Sequence, residues 1–116
     1  MHWQVDFYEE DDGTCPVERF LSNLSPRPRA KLLAMVRILE EQGPTLPFPY
    51  SSQVRGRLRE LRTQHGKEKL RILYFADPRR VFILHGIVKR TNRLAESDIR
   101  IAEERMGRHL RRLERK

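Results

Sequence analysis

Hydrophobic and polar positions alternate at the start of the chain, where Trp3, Val5 and Phe7 interleave with Gln4, Asp6 and Tyr8. That period of two predicts a strand over residues 2–8 with one buried face. The period then changes. After the polar run from Glu9 to Thr14, Pro16 suits a first helical turn, and Val17, Phe20, Leu21 and Leu24 follow at helical spacing. Ser25 and Pro26 repeat the cap-then-proline opening, and Leu32, Leu33, Met35, Val36, Ile38 and Leu39 give a second helix a wide apolar stripe, halted by Gly43-Pro44. Residues 43–55, with Pro44, Pro47 and Pro49 and little periodicity, read as an extended surface loop.

Leu58 and Leu61 among alternating charges predict a strand over Arg57–Gln64 with both faces partly polar. His65-Gly66-Lys67 is a turn signal, Leu70–Ala76 is apolar enough for a central strand, and Asp77-Pro78-Arg79 turns the chain again into a run from Val81 to Lys89. These three strands predict an antiparallel meander. From about Ala95, helical spacing returns: Ile99, Ala102, Met106, Leu110 and Leu113 line one face of a basic amphipathic helix. The order βααβββα predicts an α+β fold, a small antiparallel sheet with helices packed on one face and the other face left as a working surface.

Length and composition narrow the class. A chain of 116 residues suits one domain, over 1–116. No apolar run approaches the roughly 20 residues of a membrane span, and the first residues lack the basic start and apolar stretch of a secretory leader, so a cytoplasmic protein without a membrane partner is expected. Cys15 is the single cysteine, which excludes an internal disulfide and a zinc finger, and beside Pro16 it reads as a small semi-buried residue. His2, His65, His85 and His109 show no metal-ligand spacing, and no glycine-rich phosphate loop is present, so neither metal nor cofactor is expected.

Charge is distributed unevenly. Residues 1–54 carry 5 Lys/Arg against 8 Asp/Glu, including the acidic patch Glu9-Glu10-Asp11-Asp12, whereas residues 55–116 carry 19 against 8. Such an excess attracts polyanions, and its bias to arginine favours phosphate, which the guanidinium fork binds bidentately. The cations concentrate on the predicted meander: Arg57, Arg59 and Arg62, then Arg71, then Lys89 and Arg90. Strands roughly 4.8 Å apart would let same-face cations converge on one phosphate. Arg71 is the sharpest case because it interrupts an apolar run, with a salt bridge to Glu60 or Glu68 as the structural alternative. Tyr74 is a candidate for stacking on a base or for the core, and His85 for proton transfer or an ordinary strand position. RNA carries its own nucleophile in the ribose 2′-OH, so alignment and charge neutralisation suffice for metal-free cleavage once a proton acceptor and donor are found.

Four runs together resemble a known family: Leu58-Arg59-Glu60-Leu61-Arg62-Thr63, Leu70-Arg71-Ile72-Leu73-Tyr74-Phe75, Leu84-His85-Gly86-Ile87-Val88-Lys89-Arg90-Thr91 and Ile101-Ala102-Glu103-Glu104-Arg105. They are similar to the RelE/ParE superfamily of bacterial toxins, in its HigB-like, phage-derived branch. The resemblance implies the toxin of a type II toxin–antitoxin pair, an endoribonuclease acting on messenger RNA in the ribosome, with a cognate acidic antitoxin encoded in an adjacent gene. It assigns catalytic roles to Arg62, Arg71 and Arg90, with Lys89 beside Arg90. Together with the residue reading, the candidate site comprises catalytic Arg62, Arg71, Arg90 and His85 and substrate-binding Arg57, Arg59, Tyr74 and Lys89. The tyrosine that some relatives carry near the last helix is absent, with Glu96 close to that point, and Asn92-Arg93-Leu94-Ala95 replaces a usual Thr-Pro opening. ParE relatives share the fold and poison gyrase, so a gyrase inhibitor or a plain nucleic-acid-binding module are the alternatives.

Overall fold

Residues 2–78 and 80–115 are described by a computed structural model. Strand β1 (Gln4–Phe7) leads into helices α1 (Pro16–Ser22) and α2 (Pro26–Gln42), and four strands follow: β2 (Ser51–Arg55), β3 (Leu58–His65), β4 (Glu68–Asp77) and β5 (Arg80–Lys89). Helix α3 (Glu96–Glu114) closes the chain. The α+β class and the expected meander of β3, β4 and β5 are both present, in a five-stranded sheet of order β1-β5-β4-β3-β2.

Three expectations are corrected. Part of the loop predicted over residues 43–55 is strand β2, pairing antiparallel with β3 from Ser51 opposite Leu61 to Arg55 opposite Leu58. Ser51-Ser52-Gln53-Val54-Arg55 holds one aliphatic side chain, so no hydrophobic alternation announces it; backbone pairing on an available edge makes it a strand. The sheet is not wholly antiparallel, because β1 runs parallel to β5, with Val5 opposite Val81. Two helices separate β1 from the rest of the sheet, which allows the crossover that parallel neighbours need.

The helices are also not confined to one face. Helices α1 and α2 bury Val17, Leu21, Leu32, Met35, Val36 and Leu39 against Leu61, Leu70, Ile72, Val81 and Ile83. Helix α3 lies on the opposite face, where Ile99 and Ala102, with Met106 and Leu110, pack on Leu58, Leu73, Phe75, Phe82 and Leu84. The cause is the unbroken apolar run Ile72–Phe75, whose side chains go alternately to the two cores: a strand apolar at successive positions has two faces to bury, and each needs a layer. Gly86 is part of the same fit, since a Cβ there would overlap the Phe20 ring of α1.

Helix α3 covers only part of its face. Its first turns meet Arg55, which pairs with Glu96 at 2.7 Å and Glu103 at 3.3 Å, and its last turns reach the segment after β1. There Arg105, Arg108 and Arg112 meet the acidic patch, Arg108 at 3.3 Å from Glu10 and Arg112 at 2.7 Å from Asp11, while Arg105 and Arg112 also stand over the Tyr8 ring. The acidic first half of the chain therefore neutralises much of the basic helix. Other cations, among them Arg62, Arg71, Lys69 and Lys89, lie on the part of the sheet that α3 leaves uncovered.

Candidate nucleic-acid interface

Strand register decides which cations share a surface. Arg62 on β3 stands directly opposite Arg71 on β4, which in turn faces Ile87 on β5. The neighbouring row reads Gln64, Lys69, Lys89, and the row on the other side reads Glu60, Leu73, His85. These rows project on the α3 side of the sheet, because Leu73 and Ile87 belong to the core beneath that helix. A shift of register between Leu73 and Tyr74, which leaves Leu84 as the extra residue of β5, brings His85 and Ile87 to this face.

Two arginines directly opposite each other repel. Glu60 offsets this: its Oε1 lies 3.1 Å from Arg71 Nε and 3.3 Å from Arg62 Nη1, and its Oε2 accepts a hydrogen bond from Ser52 Oγ at 3.1 Å. The approach of Arg71 Nε is a contact of charges without hydrogen-bond alignment. Arg71 is 3% exposed, and its Nη1 donates to the carbonyls of Thr63 and Leu70, both at 3.0 Å. Burial, then the charge of Arg62, hold its pKa below the ordinary arginine value, and Glu60 opposes that shift. The salt bridge to Glu60 that stood as the structural alternative for Arg71 is therefore present. Two guanidinium groups share one carboxylate, which leaves an unbalanced positive charge beside Lys69 and Lys89.

A cavity of about 320 Å³ opens beside this pair, at the edge of β3 beyond the end of β2. Arg62, Arg71, Gln64 and Asn92 give it polar walls, Tyr50 flanks it, and Met35 of α2 reaches it from the core. Phe48 stands next to it with the Arg62 guanidinium 5.0 Å over its ring. Phe48, Tyr50 and Asn92 were not among the residues singled out by sequence. The available signal was two aromatics inside a proline-rich stretch otherwise free of hydrophobic periodicity.

The other predicted positions go elsewhere. One residue along β3 from Glu60, Arg59 faces the α2 side, where it donates to the Leu46 carbonyl at 3.2 Å and to Ser51 Oγ at 3.1 Å. Tyr74 is fully buried, its hydroxyl 2.6 Å from Ser51 Oγ and donating to the Pro44 carbonyl at 2.6 Å, so it cannot stack on a base. Arg57 lies in the β2–β3 turn beside Asp77 at 3.4 Å and over Phe75. His85 sits beneath α3, with Nε2 at 2.8 Å from Asp98 and Nδ1 at 3.3 Å from Arg105. Lys89 shares the open surface, across from Lys69, and Arg90 is exposed in the bend that follows β5. A single pocket collecting all these cations is therefore corrected to the Arg62–Arg71 pair with a lysine pair one row away. Alternation along β3 is the reason, since odd and even positions cannot share a face.

The family model described as phage-derived protein Gp49-like (DUF891) matches residues 19–107, from within α1 to within α3, and so includes β2 to β5 and the whole Arg62–Arg71 surface. The chain belongs to the Gp49-like family. This is a RelE/HigB-type toxin family, the branch that the four sequence runs resemble. The chain is also 32% identical over 108 residues to the protein named "Putative toxin HigB2" of Mycobacterium tuberculosis (strain ATCC 25618 / H37Rv). That match covers 84% of this chain and 54% of the relative, so the Gp49-like chain spans about half the length of the curated relative it matches. Among the described residues of this Gp49-like domain, no helix is long and apolar enough to cross a membrane, and no three His, Cys, Asp or Glu side chains are grouped to hold a metal ion.

Proposed function

We propose that this Gp49-like chain is the toxin of a type II toxin–antitoxin pair and that it cleaves messenger RNA on the ribosome, in the cytoplasm. The observation that carries the proposal is the cross-strand pair Arg62–Arg71 on the uncovered part of the sheet, held together by one carboxylate and opening on a cavity. An incoming phosphate completes the charge balance that Glu60 alone leaves unfinished. In the proposed reaction the ribose 2′-oxygen attacks the adjacent phosphorus, its proton passing to a base, and the 5′-oxygen leaves with a proton from an acid. Arg62 and Arg71 stabilise the charge that grows on the phosphoryl oxygens, while Lys69, Lys89 and Arg90 hold neighbouring phosphates. His85 is assigned no proton transfer, because Asp98 and Arg105 engage both of its ring nitrogens. The proposed partner is a cognate antitoxin, encoded in the adjacent gene, that sets acidic side chains on the Arg62–Arg71 surface.

The test is inducible expression followed by mapping of RNA 5′ ends, with the neighbouring open reading frame supplied or withheld. New ends inside translated messages, suppressed by the neighbouring gene product and lost in Arg62→Ala, are the expected result. Intact messages combined with a DNA-damage response would replace the nuclease reading with gyrase inhibition.

A further inference from the structure

Of the large hydrophobic side chains that stand exposed among the described residues, two are aromatic, and they lie two positions apart: Phe48, 69% exposed, and Tyr50, 53% exposed. Neither belongs to the core on either face of the sheet. Burial does not account for either ring: both stand in water, and the Arg62 guanidinium over Phe48 is a contact worth only about 0.5–1 kcal/mol at an exposed site.

Their backbone is firmly held. The Tyr50 and Ser51 amides both donate to the Pro47 carbonyl, at 3.0 and 3.2 Å, and the Arg62 amide donates to the Tyr50 carbonyl at 2.8 Å. From below, Tyr74 holds the Pro44 carbonyl and Ser51, and Arg59 holds the Leu46 carbonyl. Prolines at 44, 47 and 49 reduce the freedom of the segment further. The two rings are thus presented on a pinned shelf. Arg62 joins shelf and cation pair, its guanidinium lying over Phe48 while its Nη1 faces Glu60, and Tyr50 and Asn92 flank the cavity that Arg62 and Arg71 line.

We infer that Phe48 and Tyr50 form a stacking shelf for a nucleobase splayed from a single-stranded RNA whose phosphate rests on Arg62 and Arg71. Resting on the nuclease reading above, this deepens it by naming the conformation of the substrate: an unpaired strand with one base out of its stack. Aromatic rings and guanidinium planes are the groups on which unstacked bases settle, and every base offers a π face, so the shelf supplies affinity while the Asn92 amide is placed to read a base edge. Turning a base out also frees the backbone to place its 2′-oxygen in line with the adjacent phosphorus. A base-paired duplex keeps its bases stacked and cannot use the shelf.

The experiment is messenger cleavage in a translating extract by purified wild-type protein, Phe48→Leu/Tyr50→Leu and Phe48→Tyr, with cut ends mapped and thermal midpoints measured. Leucine keeps an apolar side chain and removes the π face. Expected is cleavage at least about tenfold slower in the double leucine variant, with cut sites redistributed among bases, and recovery to within about threefold of wild type in Phe48→Tyr. If the double variant melts early, Phe48→Leu alone carries the same comparison, because its exposed ring adds little to folding. Wild-type rates and cut sites in a folded leucine variant would overturn the shelf while leaving the nuclease reading in place. Wild-type rates combined with escape from the antitoxin would assign the rings to the protein partner and overturn it equally. Messages left intact by the wild-type protein would remove the nuclease reading, and the shelf with it.

Discussion

Arg71 Nε lies 3.1 Å from Glu60 Oε1, and both side chains are at least nine-tenths buried. Breaking such a pair from one side leaves the other charge buried and uncompensated, at a cost of about 3–5 kcal/mol. Glu60→Gln should therefore lower unfolding free energy in urea by about 3 kcal/mol, and Arg71→Ala by a similar amount. The two variants should part company on anions. Freed from its internal carboxylate, the Arg62–Arg71 pair of Glu60→Gln should gain more thermal stabilisation from added inorganic phosphate than wild type does, by mass action on the native state. Equal phosphate stabilisation in both proteins would mean that Glu60 does not compete for this site.

Arg62 and Arg59 lie on one strand and on opposite faces, which separates stability from activity. Arg71 still holds Glu60 when Arg62 is changed to alanine, so that variant should cost little in folding and about a hundredfold in messenger cleavage, the scale on which one donor to a transition-state oxyanion acts. Arg59→Ala should show the reverse order, a larger fall in thermal midpoint and a smaller fall in cleavage. Equal activity losses would show that register does not sort these two residues.

Tyr74→Phe removes a buried hydroxyl shared with Ser51 and the Pro44 carbonyl, and should cost about 1–3 kcal/mol in chemical denaturation. A neutral result would mean that the Pro44 and Ser51 groups find water in its place.

His109 packs its ring against Phe82 at 4.0 Å between centroids, and its Nε2 is buried without a partner. Burial first, then the nearby Arg112 charge, hold its pKa below the ordinary histidine value, against smaller opposing effects of Asp6 and Asp77. The folded state thus resists a proton that the unfolded chain accepts. The stability contribution is fully present above about pH 6.5 and is lost as pH falls below that value toward the depressed folded pKa. Thermal midpoints measured at pH 7.5 and 5.5 should fall less on the acid side in His109→Phe than in wild type; parallel falls would remove His109 as the cause.

Gly86→Ala should destabilise by about 2 kcal/mol or more, since the added methyl group meets a packed aromatic ring. Restoration of the thermal midpoint by Phe20→Leu in the same chain would confirm the contact, and no loss on the single substitution would refute it.

Local pattern carried much of this fold. Proline-opened helices, glycine turns and apolar runs were legible because each depends on residues within a few positions of one another. Even the layer on the second face had a local trace, in the unbroken run Ile72–Phe75, whose meaning is two buried faces. The candidate site was legible only in part. Arg71 stood out as a charge inside an apolar run, whereas Arg59 and Arg62 look equivalent in sequence and differ by an odd step along a strand.

The sequence by itself determined the α+β class, the meander, the basic second half and the oddity of Arg71, because these follow from spacing and composition along the chain. Only the tertiary structure decided that β1 runs parallel to β5, that Ser51–Arg55 completes the sheet, and that the acidic patch near the start neutralises arginines about 100 residues later. It also decided that Phe48 and Tyr50 stand beside Arg62. Register, layer and charge partner are sums over distant contacts, and no window along the chain contains them.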